Sequence, residues 1–310
     1  MSGPVVILGP TASGKSDVAM AVADDLAARH AESAVEIVAV DAMQVYRGMD
    51  IGTAKPTAAD RAAVPHHAID LVDPEHDFTL AEFAAAAGAA IVAVEGRGRL
   101  PLLVAGTGLY LRSLTDPMEL PGVWPEVRAG LERRLEQEGP HGLHAELVAL
   151  DPIAAGRIEP GNGRRTVRAL EVCLGSGRAF SSFGPGLDSY PSSRFSQIGL
   201  RWQREVLARR IEARVHRMMA DGLLAEVTAL AAGRSLSRTA RQALGYKELL
   251  DHLEGRMSLG QAVDTIVLRT RQFAVRQERW FRRDPRIQWV DIDDDPVAEV
   301  VPVVQEVIGR

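Results

Sequence analysis

The stretch that most restricts this chain is Gly9-Pro-Thr-Ala-Ser-Gly-Lys-Ser16, directly after the apolar run at 4–8. An apolar strand, a glycine-rich turn and a helix opening on Lys-Ser is the order that a phosphate-wrapping loop requires. Gly9 and Gly14 let the backbone of Pro10, Thr11, Ala12 and Ser13 turn its N–H groups inward. Lys15 then reaches an outer phosphate oxygen and Ser16 offers its hydroxyl to Mg²⁺, both at a helix N-terminus. A loop of this kind sits on a parallel sheet. What it leaves open is whether the bound phosphate is transferred or departs.

Apolar runs at 4–8, 35–40, 100–106, 195–200 and 287–292 alternate with helical patterns. That alternation predicts an α/β fold, a P-loop NTPase-like core with a central parallel sheet. Between 117 and 190 the strand rhythm stops and helical patterns replace it, with Gly, Pro and Ser at their ends, so this stretch reads as a helical insertion domain. The core is then expected at 1–116 and 191–310, ending in a basic helical part and a last helix. With 310 residues, 46% of them apolar, there is enough material to bury a core. The single cysteine, Cys173, rules out a disulfide framework and fits packing within a helix. His66 and His67 are adjacent, so their side chains point apart and no metal site is expected of them. No stretch approaches the roughly 20 apolar residues of a membrane span, and no basic leader precedes an apolar run. The expectation is a cytoplasmic monomer without a membrane partner.

The net charge of -5 averages two unlike regions. Arg201 to Arg283 holds sixteen Arg and one Lys against nine acids, a local balance of +8. A basic third on an acidic chain points to a polyanion such as nucleic acid, or to solvated arginine-rich helix faces. Arg269, Arg276 and Arg283 recur every seven residues and could track phosphate, with Phe273, Trp280 and Phe281 turned inward.

A kinase or ATPase would normally place a metal-binding carboxylate at a second strand end. Here "LPLLVAGTG" ends in Gly106-Thr107-Gly108 and offers a hydroxyl instead. The carboxylate of this kind is Asp41, after "EIVAV". Ligands of open parallel sheets bind at the carboxyl ends of the strands, so Lys15, Asp41 and Thr107 should converge. Asp41 is then a candidate general base or, more plainly, a capping residue at a strand end.

Several blocks together resemble the tRNA dimethylallyltransferases: "GPTASGKS", "VDAMQVYRGMDIGTAKP" at 40–56, "HHAIDLVDP", "AGTGLYL", "RRTVRALEV", "QALGYKELLDHLEG" and "TRQFAVRQERWFRRD". They run in that family's order from Gly9 to Asp284, and the 41–56 block is the specific one. The resemblance implies transfer of a dimethylallyl group from dimethylallyl diphosphate to N6 of the adenine 3′ of the tRNA anticodon, with Mg²⁺ as cofactor. It implies that Asp41 takes the N6 proton, that Thr107 bonds the bridging oxygen of the leaving diphosphate, and that Arg214 binds that diphosphate. It also implies tRNA contacts at Asp41, Ala42, Met43, Gln44, Thr107, Arg128, Arg164, Arg165, Thr166, Val167 and Arg168. Ala42 and Ala105 stand where Ser and Gly are usual, and Phe273 and Val275 replace Tyr and Lys. The other readings are a P-loop small-molecule or nucleoside kinase binding ATP, an adenylate isopentenyltransferase, and a GTPase-like switch. The last of these lacks an N-K-x-D motif in this sequence.

Overall fold

The computed structural model describes residues 3–29, 35–184, 186–233 and 235–309. The chain forms two compact units, Met1–Thr115 with Ser192–Arg310, and Asp116–Pro191.

In the first unit the chain runs β1 (Val5–Leu8), α1 (Lys15–Arg29), β2 (Val35–Val40), α2 (Ala58–Ala63), β3 (His66–His67), α3 (Leu80–Gly96), β4 (Leu100–Ala105) and α4 (Gly108–Thr115). The second unit holds α5 (Pro125–Glu138), α6 (Pro140–Leu150), α7 (Pro152–Arg157) and α8 (Gly163–Ser176). The chain re-enters the first unit with β5 (Ser196–Trp202), α9 (Arg204–Ala220), α10 (Leu223–Ala231), α11 (Arg238–Arg241), α12 (Tyr246–Leu253), α13 (Leu259–Phe281), β6 (Ile287–Ile292) and α14 (Pro296–Gly309).

The strands form one parallel sheet of order β3-β2-β4-β1-β5-β6. β1 and β2 are buried at every position because both faces are covered, which is why they read as continuous apolar runs. Alternate residues serve opposite layers. Val5, Ile7, Ile37, Leu102 and Ile198 pack with α1 and α14, while Val6, Leu8, Val38, Val40 and Leu103 pack with α3 and with α9, α10, α12 and α13. β1 lies between β4 and β5, so the loop after Leu8 leaves the middle of the sheet at its carboxyl edge. β3 has no signature of its own in the sequence. Two residues cannot display a period, and pairing with Ile37 and Val38 is what makes them a strand.

At the opposite, amino end of β2, Glu36 is 2% exposed and takes hydrogen bonds from Arg97, Arg99 and His67 Nε2, the last at 2.5 Å. His66 Nδ1 lies 2.7 Å from the carbonyl oxygen of Val64, so the two imidazoles serve separate local contacts. Burial pushes the Glu36 carboxyl up, but its bonds from Arg97, His67 and Arg99 outweigh this and hold it at about 2. A carboxyl lowered from 4.5 to about 2 on folding stabilises the fold above pH 4.5, on the order of 3 kcal/mol. That contribution is lost as pH falls from 4.5 through about 2. Glu36→Gln is therefore expected to lower Tm clearly at pH 7 and much less at pH 3, as read by calorimetry at the two pH values.

The second unit closes on its own small core of Leu131, Leu143, Leu147, Ala155, Ile158, Val167, Leu170 and Cys173. Asp151 caps α7 through the Ala154 N–H and also accepts the N–H and hydroxyl of Ser181. Cys173 is buried, Sγ accepts the Phe180 N–H at 3.4 Å, and burial pushes its thiol up, which suits packing and not nucleophilic attack. Among the described residues, no helix is long and apolar enough to cross a membrane.

Candidate active site

The phosphate loop is held from outside by its carbonyls. Lys15 Nζ donates to Pro10 O at 2.7 Å, Arg210 Nε to Ala12 O at 3.0 Å, and Trp202 Nε1 to Ser13 O at 3.0 Å. The Arg210 guanidinium also lies over the Trp202 ring, 4.3 Å from its centroid. These bonds engage three loop carbonyls, and a phosphate-wrapping loop relies on its amides instead; of these the Thr11 N–H is held by Gln277 Oε1 at 2.9 Å. The turn needs left-handed backbone at Ala12, φ 62°, and at Gly14, φ 93°, where a Cβ would also lie 2.6 Å from Pro296 Cγ. Val18 N–H bonds to Gly14 O, so α1 starts on the loop itself, with Ser16 exposed on its first turn. Burial, and after it the neighbouring Arg214 charge, lower Lys15 to about 7 against the opposing pull of Asp41. Burial also lowers Arg214, with Asp41 and Asp17 acting the other way. Two half-buried cations, one of which disfavours the charge of the other, are suited to a shared, highly charged anion.

Asp41 follows the last residue of β2. Its Oδ1 accepts the N–H of Met43 at 2.7 Å and of Gln44 at 3.3 Å, which fixes the turn and aims the side chain. Its Oδ2 faces the next strand end, 3.5 Å from the point where a Cβ on Gly106 would sit. One Asp41 oxygen thus caps the turn, and the other faces the end of β4. Gly106 N–H bonds to Val40 O and Gly9 N–H to Ala105 O, which draws the ends of β2, β4 and β1 into one cluster. Thr107, half-buried, follows at the start of α4, where Leu111 N–H bonds to its carbonyl. Gly108 has to be glycine. A Cβ there would lie 2.0 Å from Trp280 Cδ1, so Gly108→Ala must displace the indole or the Thr107 turn. The expected cost is about 1–3 kcal/mol of stability with a fall in kcat, read together from a Tm shift and steady-state kinetics.

The block after Asp41 is a fixed loop. Gln44 Nε2 donates to Thr53 O and Ala54 O, and Gln44 O accepts the Asp70 N–H. The buried Lys55 ammonium bonds Tyr46 O, Asp50 and Asp70. Glu226 of α10 accepts the N–H groups of Asp50, Ile51 and Gly52 and the hydroxyl of Tyr246. Ala42 and Met43 stay half-exposed beside Asp41, whereas the Gln44 amide is engaged inside the loop.

In the second unit, Arg128 and Arg168 converge on Glu171, which is fully buried, at 3.7 and 2.9 Å. Glu171 also accepts the Trp124 N–H, and Arg168 donates to the carbonyls of Pro121 and Gly122. Thr166 and Val167 lie in the unit's interior, so Arg164 and Arg165 are the exposed side chains of 164–168. On α13, Arg269 pairs with the buried Glu248, while Arg276 is exposed near the Phe273 ring. Trp280 and Phe281 pack into the core as expected, and Phe273 is only half-buried.

Sequence reasoning missed Gln277, Arg210 and Trp202. Gln277 Oε1 accepts the Thr11 N–H at 2.9 Å, and its Nε2 donates to Gly106 O at 2.6 Å. One signal was available: Ala274, Gln277 and Phe281 form the buried stripe of α13, and an amide on an otherwise apolar stripe needs partners.

The fold and these groups define a phosphate-loop α/β protein in which a carboxylate and a hydroxyl-bearing turn stand at the strand ends beside the loop. The chain belongs to the IPP transferase family, whose model matches residues 44–284. It is a transferase, and it is 48% identical over 312 residues to the tRNA dimethylallyltransferase of Kineococcus radiotolerans, covering 96% of each chain. Among solved structures, the tRNA isopentenylpyrophosphate transferase of Bacillus halodurans matches with a TM-score of 0.69 and 36% identity, over 100% of this chain and 97% of that one. A eukaryotic dimethylallyltransferase acting on tRNA matches with a TM-score of 0.79 and 25% identity, over 100% of this chain and 80% of that one.

Proposed function

We propose that this chain transfers the dimethylallyl group of dimethylallyl diphosphate to N6 of the adenine 3′-adjacent to the anticodon of tRNA, releasing diphosphate. The observation that carries the reading is the cluster of Asp41 Oδ2, the Gly106-Thr107 turn, Lys15 and Arg214 around one phosphate loop, with β4 followed by Gly106 and Thr107 rather than by a carboxylate. The tRNA part of the reading rests on the names of the relatives and on the basic C-terminal third.

In the reaction the N6 lone pair forms the bond to C1 of the dimethylallyl group. The C1–O bond breaks with its electron pair going to diphosphate, and the N6 proton passes to Asp41. Charge therefore grows on diphosphate, where the loop amides, Lys15, Arg214 and the Thr107 hydroxyl stabilise it. Asp41 Oδ2 is suited to the base role because Oδ1 is already held by Met43 and Gln44. Ser16, exposed on the first turn of α1, would hold Mg²⁺ through its hydroxyl, and the ion would supply positive charge to neutralise the leaving group. A stacked anticodon-loop base has to be splayed out to reach a cleft at the strand ends, and single-stranded loops permit this at modest cost. Arg164 and Arg165 are free to meet phosphate, while Arg128 and Arg168 are oriented by Glu171.

The test is incubation with Mg²⁺ and labelled dimethylallyl diphosphate on unmodified tRNA carrying adenines beside the anticodon, with AMP and ATP reactions in parallel. Label on tRNA alone supports the reading. Label on AMP returns the adenylate enzyme, and ATP consumption without prenyl transfer returns the kinase.

A further inference from the structure

We propose that Gln277 is a positioning residue that sets the separation between the phosphate loop and the Thr107 turn, the elements assigned to the phosphates and to the bridging oxygen of the leaving diphosphate. This rests on the reading above and adds a residue to it. The loop follows β1 and the turn follows β4. The sheet ladder joins them at its edge, through Gly9 N–H to Ala105 O. Beyond that bond, the Gln277 amide spans the gap, accepting from Thr11 N–H and donating to Gly106 O. Gly106 adjoins Thr107, and its missing Cβ would lie 3.5 Å from both Gln277 Nε2 and Asp41 Oδ2. One planar amide therefore touches the loop that holds the diphosphate and the residue beside the one assigned to its bridging oxygen.

The chemistry of the group explains the choice. A carboxamide accepts with one atom and donates with the other without carrying charge. A carboxylate would set a negative charge beside the leaving diphosphate, and a hydrocarbon would leave Thr11 N–H and Gly106 O unpaired. Gln277 is 7% exposed and sits on the inner stripe of α13, so it is not placed to touch RNA. Its neighbours Arg276 and Arg279 are exposed on the outer side.

Two variants test this. Gln277→Met keeps the shape and removes both bonds. Its kcat for prenyl transfer is expected to fall about 10²-fold, the scale of a misplacement near 1 Å, with tRNA affinity unchanged. Affinity for inorganic diphosphate with Mg²⁺, measured by titration calorimetry, should fall about tenfold or more, since Thr11 is released. Gln277→Glu keeps the acceptor toward Thr11 but faces Gly106 O with an oxygen. Once protonated, that carboxyl donates and mimics the amide. Its activity relative to the unsubstituted protein at the same pH is therefore expected to rise as pH falls, which a merely structural role does not produce.

Unchanged kcat and diphosphate affinity in Gln277→Met would overturn the proposal, as would a loss confined to tRNA affinity or a flat relative pH profile in Gln277→Glu. If the unsubstituted protein binds diphosphate yet prenylates nothing, the functional reading fails while the diphosphate arm still tests the strut.

Discussion

Asp41→Asn is expected to lower kcat for prenyl transfer by about 10²- to 10⁴-fold while tRNA affinity stays nearly unchanged. The asparagine carbonyl oxygen still accepts the N–H groups of Met43 and Gln44, so the turn after β2 keeps its shape. What is lost is the basic oxygen facing the Gly106 turn. Single-turnover transfer with saturating substrates, beside filter binding of tRNA, separates the two effects. A parallel loss of binding and turnover would mean that Asp41 serves the turn alone. Asp41→Ala removes both functions, so it should bind tRNA less well than Asp41→Asn.

Lys15→Met is the second large effect, expected to lower kcat/KM for dimethylallyl diphosphate by about 10²- to 10³-fold. It carries a pH signature. Lys15 titrates near 7 in the free protein because burial and Arg214 disfavour its charge, and a bound diphosphate would raise it again. Below pH 7 the lysine is already protonated and binding takes up no proton there. Above pH 7 binding must bring a proton with it, so affinity falls as pH rises. At pH 8, calorimetry in buffers of different ionisation enthalpy should find proton uptake approaching one, and Lys15→Met should lack that component.

The same reasoning gives a stability trade. A lysine lowered from 10.5 to about 7 binds its proton less readily in the fold than in the unfolded chain. It therefore costs stability, most below pH 7, and that cost fades as pH rises through 10.5. Lys15→Met is expected to raise Tm at pH 6 while abolishing function. Loss of activity with gain of stability is what a group placed for charge stabilisation should show.

The helical second unit illustrates how burial divides a motif. The 164–168 segment is contiguous in sequence, but α8 turns once every 3.6 residues or so, so Thr166 and Val167 face the interior while Arg164 and Arg165 face out. Arg168 lies between the two and answers a buried carboxylate, Glu171. Glu171 meets Arg168 one turn earlier on α8, but its burial also depends on Trp124 and Arg128 arriving from outside that helix.

By itself the sequence determined the parallel sheet, the phosphate loop, the strand-end Asp41 and the Thr107 turn. Each is written in a local pattern: an apolar run buried on both faces, glycines at a positive-φ turn, or a polar residue where a strand stops. Only the tertiary structure decided which groups hold these parts in register. The Gln277 amide reaches Thr11 across 266 positions and Gly106 across 171, Trp202 reaches Ser13 across 189, and Glu226 closes on the 50–52 turn from α10. Such bonds leave no periodicity, because each pairs one side chain with the backbone of a distant segment, and only the packed helices bring the two within hydrogen-bonding reach.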